Sequence, residues 1–242
     1  MYNSVKQHYE NHLASFYTWM TGDFEMKVEE QHSIFESFGI CPFSSRIAFD
    51  LGAGTGIQSM ALAKAGYRVM AVDFNDSLLA ELQKHNHPSI ECKTLDILEF
   101  LNAPTPTAEL IVCMGDTLTH FDTVNTVKHV ITKVTAKLCS GGKCMLSFRD
   151  LTMELKGLDR FIPVRSDDNR ILTCFLEYFD RHVLVHDLLN ERTDNGWTQR
   201  MSAYPKLRLS AKQILDELSV AGLKVARHET IQRMEYVLAV RP

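Results

Sequence analysis

Three glycines, Gly52, Gly54 and Gly56, occupy alternate positions behind the apolar run "RIAFDL" and ahead of a helical pattern. Glycine in such a turn lets a ligand approach the backbone closely. The spacing limits which ligand. A dinucleotide turn reads G-x-G-x-x-G, whereas this one reads G-x-G-x-G and puts Ile57 in the sixth position. The phosphate-cradling run G-x-x-x-x-G-K-S/T does not occur. Carboxylates surround the turn instead. Asp50 stands at its mouth, and Asp73 ends the next strand signal, 21 residues after Gly52, where an acidic side chain can accept both ribose hydroxyls. Asp96 ends a third strand signal, where a carboxylate can meet an adenine amino group. Carboxylates at adjacent strand ends repel a pyrophosphate and favour a nucleoside bearing an ammonium or sulfonium, the chemistry of S-adenosylmethionine.

These residues need a scaffold that brings strand ends together. "RIAFDL", "YRVMAVD", "IECKTLD", "AELIVCMG" and "GKCMLSF" read as strands separated by helical patterns, which implies a parallel sheet covered on both faces. Residues 1 to 39 read as helical, with a break at "TGD" and a second helix over 24–38 that "GICPFSS" ends. After Arg149 the pattern alternates with period two through "RILTCFLEYFD", "RHVLVHDLLNER" and "GWTQRMSAYPKLRLS", an antiparallel insertion. "SAKQILDELSVAGL" is a helix with Ser210 as N-cap, and "KVARHET" and "RMEYVLAV" form a hairpin. The expected organisation is one domain over 1–242: helical lid 1–43, cofactor-binding core 44–149, insertion 150–209, closing helix and hairpin 210–242.

Composition adds exclusions. A formal charge of −4 disfavours a nucleic-acid partner. No apolar stretch has membrane-spanning length, and the start lacks a signal-like apolar region, so a cytoplasmic protein is expected. The six cysteines are scattered and read as reduced, mostly buried thiols. His182 and His186 share a strand face without a third ligand nearby, so no metal site is expected.

The motifs "FDLGAGTG" (49–56), "VMAVD" (69–73), "LDIL" (95–98), "AELIVCMGD" (108–116) and "GGKCMLSF" (141–148) resemble, in order, those of class I S-adenosylmethionine-dependent methyltransferases. "WMTGDFEMK", "CMGDTLTHF" and "FRD" are similar to the glycine N-methyltransferase-like branch. The resemblance implies a Rossmann-like α/β fold: a seven-stranded, mostly parallel sheet sandwiched by helices, its final strand inserted antiparallel. It implies a cofactor site of Lys27, Asp50, Gly52, Ala53, Gly54, Gly56, Asp73, Phe74, Asp96, Ile97, Met114, Gly115 and His120, with Lys27 on the methionine carboxylate. Arg149 corresponds to an anchor for a substrate carboxylate, and Asp116, Trp19 and Met20 complete the acceptor side. Lysine stands at 27 where the branch has arginine, and Asp116 replaces an asparagine.

Methyl transfer is an in-line displacement governed by alignment, for which an amine must arrive neutral and a phenol or acid ionised. His120 is the candidate proton acceptor, or else it orients the cofactor or closes the pocket. Other readings compete: Asp96 as a helix N-cap, Lys27 on a solvated face, Arg149 in an ion pair with Asp150 or Asp159, and Tyr9, Tyr17 and Trp19 as core or lid aromatics. The expected activity is methylation of a small molecule at the amine of a carboxylate-bearing compound, by a monomer or homodimer. Its rivals are O-methylation, a protein or RNA acceptor, a non-catalytic cofactor-binding module, and a nicotinamide dehydrogenase. "MGDTLTH" lacks the N/D-P-P-Y/F run of many macromolecular amino methyltransferases.

Overall fold

The computed structural model describes residues 2–242. The N-terminal region, expected as a lid, comprises α1 (Val5–Asn11), a 3-10 turn (Leu13–Phe16), α2 (Tyr17–Thr21) and α3 (Phe24–Ser37). The core then alternates: β1 (Ile47–Leu51), α4 (Ile57–Lys64), β2 (Arg68–Asp73), α5 (Asp76–Lys84), β3 (Ile90–Thr94), α6 (Ile97–Asn102) and β4 (Ala108–Cys113). A 3-10 turn (Thr117–His120), α7 (Val124–Lys137) and β5 (Leu138–Phe148) complete it. The insertion holds β6 (Phe161–Ser166), β7 (Arg170–Tyr178), β8 (His182–Thr193) and β9 (Gly196–Leu207). The chain closes with α8 (Ala211–Val220), β10 (Lys224–Ile231) and β11 (Met234–Val240).

The strands of the core form a seven-stranded sheet in the order β10-β11-β5-β4-β1-β2-β3, with β11 antiparallel to both neighbours. Continuous apolar strands explain why both faces are covered. In β1, Phe49 and Leu51 point into a cluster with Phe100 of α6 and Val127, Val130, Ile131 and Val134 of α7, and Ala48 points into the opposite cluster with Val28 and Phe35 of α3 and Leu62 of α4. The order runs outward in both directions from β1 and β4, which opens a crevice beyond their carboxyl ends. The helices start at side-chain caps: Asp23 accepts Met26 N, Asn75 accepts Leu78 N, Thr123 accepts Thr126 N and Ser210 accepts Gln213 N.

Two features differ from expectation. "FIPVRS" is a fourth strand, β6, pairing antiparallel with β7. Its period is masked because Pro163 interrupts it and because only the neighbouring strand gives it partners. The order of the insertion sheet is β6-β7-β8-β9. The cysteines are less buried than expected: Cys113 and Cys144 are buried, Cys41 is exposed and the other three lie between, all six being free. Among the described residues, no helix is long and apolar enough to cross a membrane, and no group of three metal-ligating side chains converges.

Candidate active site

The glycine turn sits where β1 ends, anchored by Gly52 N and Ala53 N donating to Val72 O at 2.8 and 3.0 Å. Gly52 and Gly56 have φ of +79° and +90°, in the left-handed region. A β-carbon on Gly52 would lie 2.5 Å from Thr117 Oγ1, and one on Gly56 would lie 2.2 Å from Leu82 Cδ1. The turn is thus threaded between the 3-10 turn that follows β4 and α5, at a backbone conformation and spacing that favour glycine. Over Gly54 lies α2: the same construction there meets only the Tyr17 ring and hydroxyl, at 3.9 Å.

Asp73 ends β2 with both oxygens engaged by backbone, Oδ2 accepting Gly54 N at 2.8 Å and Oδ1 accepting Asn75 N at 2.9 Å. Burial raises its pKa despite those bonds. Phe74 follows it and meets Tyr9 edge-on. Asp50 is buried beside them, Oδ2 accepting the Ser59 hydroxyl at 2.6 Å while Oδ1 has no partner. Burial pushes its carboxyl up to about 7, assisted by Asp73. Asp96 is exposed at the end of β3 and caps α6, Oδ1 accepting Leu98 N at 2.7 Å; Ile97, the first residue of that helix, is buried.

After β4, Met114 is buried and Gly115 N donates to the Ser147 hydroxyl at 2.8 Å. The carboxylate of Asp116 accepts from Lys206 Nζ at 2.7 Å and from Arg149, both at its guanidinium and, at 3.1 Å, at its backbone N–H. Burial opposes ionisation here, but the two cations outweigh it and hold Asp116 well below the usual carboxylate range. Arg149 therefore pairs with Asp116; Asp150 is taken up by Thr152 N and Ala211 N. His120 lies edge-on to both Tyr9 and Tyr204, with Nε2 buried and unpartnered. Burial, then the Lys206 charge, lower its pKa to about 3, so the ring is neutral.

The remaining predicted residues lie on α2 and α3. Lys27 is exposed on α3 and ion-paired with Glu30 at 2.6 Å. Trp19 Nε1 donates to Asp167 Oδ2, and its ring faces Arg165 and Arg170. Met20 packs against Leu13, Phe16, Leu172 and Leu189. Trp19 and Met20 thus fasten α2 to the insertion.

Sequence reasoning missed the insertion's contribution. Lys206 and Tyr204 come from β9, and Tyr204 stacks on His8 of α1 at 4.0 Å between ring centres. His8 is clamped, Nε2 to Asp187 Oδ2 at 3.0 Å and Nδ1 to the Ser202 hydroxyl at 2.8 Å, and Cys174 Sγ donates to the other oxygen of Asp187. Burial works against the Asp187 charge, yet these donors keep its pKa lowered. Inward alternation along "MSAYPKL" was the only available signal for Tyr204 and Lys206.

Residues 48–142 match the family described as a methyltransferase domain. The chain is similar to the cypemycin N-terminal methyltransferase of Streptomyces sp, 51% identical over 43 residues. That segment is 18% of this chain and 18% of the relative, so the match spans less than a fifth of the relative's length. In structure the chain is similar to an S-adenosylmethionine-dependent methyltransferase from Clostridium acetobutylicum, with TM-score 0.71 and 16% identity over 90% of this chain and 92% of that one. It is also similar to S-adenosylmethionine-bound CalS10, an amino pentose methyltransferase from Micromonospora echinaspora. There the TM-score is 0.72 and the identity 15%, over 100% of this chain and 98% of that one.

Proposed function

We propose that this chain, a class I S-adenosylmethionine-dependent methyltransferase, methylates a small molecule at an amine whose carrier also bears a carboxylate. The residues fit the cofactor. Asp50 offers a buried carboxylate oxygen with no partner, suited to an ammonium, and Asp73 retains lone pairs for ribose hydroxyls beyond its two backbone bonds. The backbone of Gly52, Ala53 and Gly54 lines the approach, with Phe74, Asp96 and Ile97 on the adenosine side and Met114, Gly115 and His120 on the methionine side. Lys27 would reach a methionine carboxylate only by leaving Glu30. Bound S-adenosylmethionine supplies a methyl group already activated by its sulfonium.

One observation favours an amine over a phenol. Phenol groups at this place resist ionisation: burial, followed by Asp73 and Asp116, pushes Tyr17 up to about 12. Burial, then Tyr17 and the carboxylates of Asp73, Asp116 and Asp187, puts Tyr9 well above its usual value. Desolvation, the largest cause of both shifts, disfavours a phenolate and equally disfavours an ammonium, so it leaves a phenol in its unreactive form and an amine in its reactive, neutral one. His120, held neutral, accepts an N–H of the acceptor at Nε2 and aligns the lone pair; its basicity is too low to store the proton. The amino pentose named for one relative and the N-terminal methylation named for another agree with an amino acceptor. The carboxylate assignment rests on Arg149, half-exposed and adding with Lys206 one more positive charge than Asp116 cancels.

Calorimetric titration with S-adenosylmethionine, S-adenosylhomocysteine and NAD tests the cofactor: micromolar binding of the first two and none of NAD is expected. Turnover is then compared across matched amines and phenols, with and without a carboxylate. Transfer to phenols in preference to amines would overturn the amine assignment. Arg149→Met should spare cofactor affinity and lower turnover of carboxylate-bearing amines alone; equal loss for amines lacking one removes the anchor.

A further inference from the structure

The buried face of the insertion sheet carries polar groups as well as apolar ones, and α1 lies against them. Beside Leu172, Val183, Val185 and Leu189 sit Asp187 and the imidazole of His8, both almost fully buried. Burying such groups is costly unless every donor and acceptor is matched. One arrangement of protons matches them all. Asp187, its pKa lowered, is ionised at neutral pH and can only accept. Its Oδ2 takes the Nε2 proton of His8 at 3.0 Å, and its Oδ1 takes the thiol proton of Cys174 at 3.0 Å. Nδ1 of His8 is then an acceptor, to which the Ser202 hydroxyl donates at 2.8 Å. Ser202 Oγ in turn accepts Asn3 Nδ2 at 3.0 Å, while Asn3 N donates to Ala203 O at 3.0 Å. The imidazole is held at both nitrogens and cannot turn over without breaking both bonds.

This clamp reaches the candidate active site by two routes. Through its face, His8 stacks on Tyr204, with ring centres 4.0 Å apart and planes 21° from parallel. Tyr204 then meets His120 edge-on at 5.8 Å. Through the backbone of α1, His8 fixes its neighbour Tyr9, which meets His120 edge-on at 5.7 Å and also contacts Tyr17 and Phe74. His120 Nε2 has no hydrogen-bond partner to aim it. Edge-to-face contacts orient a ring without pinning its nitrogens, so moving either tyrosine re-aims Nε2. Both tyrosines depend on one residue. We infer that His8 is a positioning residue for methyl transfer: fully buried and out of reach of either ligand, it sets where His120 Nε2 meets the acceptor amine. This rests on the reading of His120 as the group that accepts an N–H of the acceptor. Alignment governs an in-line displacement, so a misplaced contact lowers turnover more than it lowers binding.

His8→Gln can still donate to Asp187 but removes the ring that stacks on Tyr204. It should lower kcat for an amine by about tenfold or more, leaving the amine KM and the calorimetric affinity for S-adenosylhomocysteine within about twofold of wild type. Ser202→Ala keeps the ring and the Asp187 bond, frees Nδ1, and should show the same split with a smaller loss. NMR reads the positioning without turnover. In the S-adenosylhomocysteine complex the His120 Hε1 resonance, set by the ring currents of Tyr9 and Tyr204, should move in both variants. Wild-type kcat in His8→Gln overturns the inference; should that variant fail to fold, wild-type kcat in Ser202→Ala does so. An unmoved His120 resonance overturns it as well, and equal losses in kcat and cofactor affinity do the same by reducing His8 to general support of the fold. If the wild type turns over no amine while the resonance moves, the reading of the acceptor fails and the aiming of His120 by His8 stands.

Discussion

Asp50, near the end of β1, and Asp116, just beyond the neighbouring β4, are both buried carboxylates, yet they titrate in opposite directions. Asp50 has one hydroxyl donor, a vacant oxygen and Asp73 nearby, and its pKa rises to about 7. Asp116 has two cations and falls well below the ordinary range. The carboxylates at the glycine turn therefore have no cation beside them, which under the proposed function suits a cationic ligand. Asp116 instead is compensated by Arg149 at the end of β5 and by Lys206 of the insertion. Burial is common to both; the partner set decides the sign.

The largest effect should come from removing a cation from the compensated side. Lys206→Met leaves Asp116 buried with Arg149 alone and should cost about 2–3 kcal/mol in urea unfolding, below the full penalty of an orphaned buried charge because Arg149 remains. It should also raise the His120 pKa, read by NMR. No loss of stability would mean that Arg149 suffices. On the cofactor side, Asp73→Ala should weaken S-adenosylmethionine by more than tenfold, about 1.4 kcal/mol, in calorimetry. Unchanged affinity would remove the ribose assignment.

Asp50 separates the two sides by pH. Its folded-state pKa lies above the unfolded value, so the folded chain holds the proton more tightly, and stability falls as pH rises from about 4 towards 7. Between pH 6 and 7 the contribution is about 1 kcal/mol. Asp50→Asn should flatten this part of the profile, and S-adenosylhomocysteine affinity should rise with pH in wild type only. A profile unaltered by the substitution would assign the slope elsewhere. The smallest effect belongs to the fastening of α2: Trp19→Phe removes an exposed hydrogen bond to Asp167 and should change stability by less than about 1 kcal/mol, while raising KM for the acceptor more than for the cofactor.

The glycine turn and its carboxylates were legible because their parts are local. The turn, Asp50 and Asp73 lie within 24 residues (50–73), each at the end of a strand that its own apolar run announces. The antiparallel hairpin at the end was legible for the same reason. Asp96 kept two readings because one carboxylate can cap a helix and still face a ligand; the structure shows the cap. Arg149 was harder. Sequence proximity suggested Asp150 or Asp159, but Asp116 is brought to it by the pairing of β4 with β5. His8 and Asp187 lie 179 positions apart, and nothing in either neighbourhood announces the other.

The sequence by itself determined the order of strands and helices, the left-handed turn and the carboxylates at the strand ends, because periodicity, glycine and capping act over a few residues. Only the tertiary structure decided how those carboxylates titrate and which residues surround Asp116. Desolvation and ion pairing depend on what distant segments place within a few ångströms: Lys206 from β9 fixes Asp116, while the lack of any such cation leaves Asp50 half-titrated.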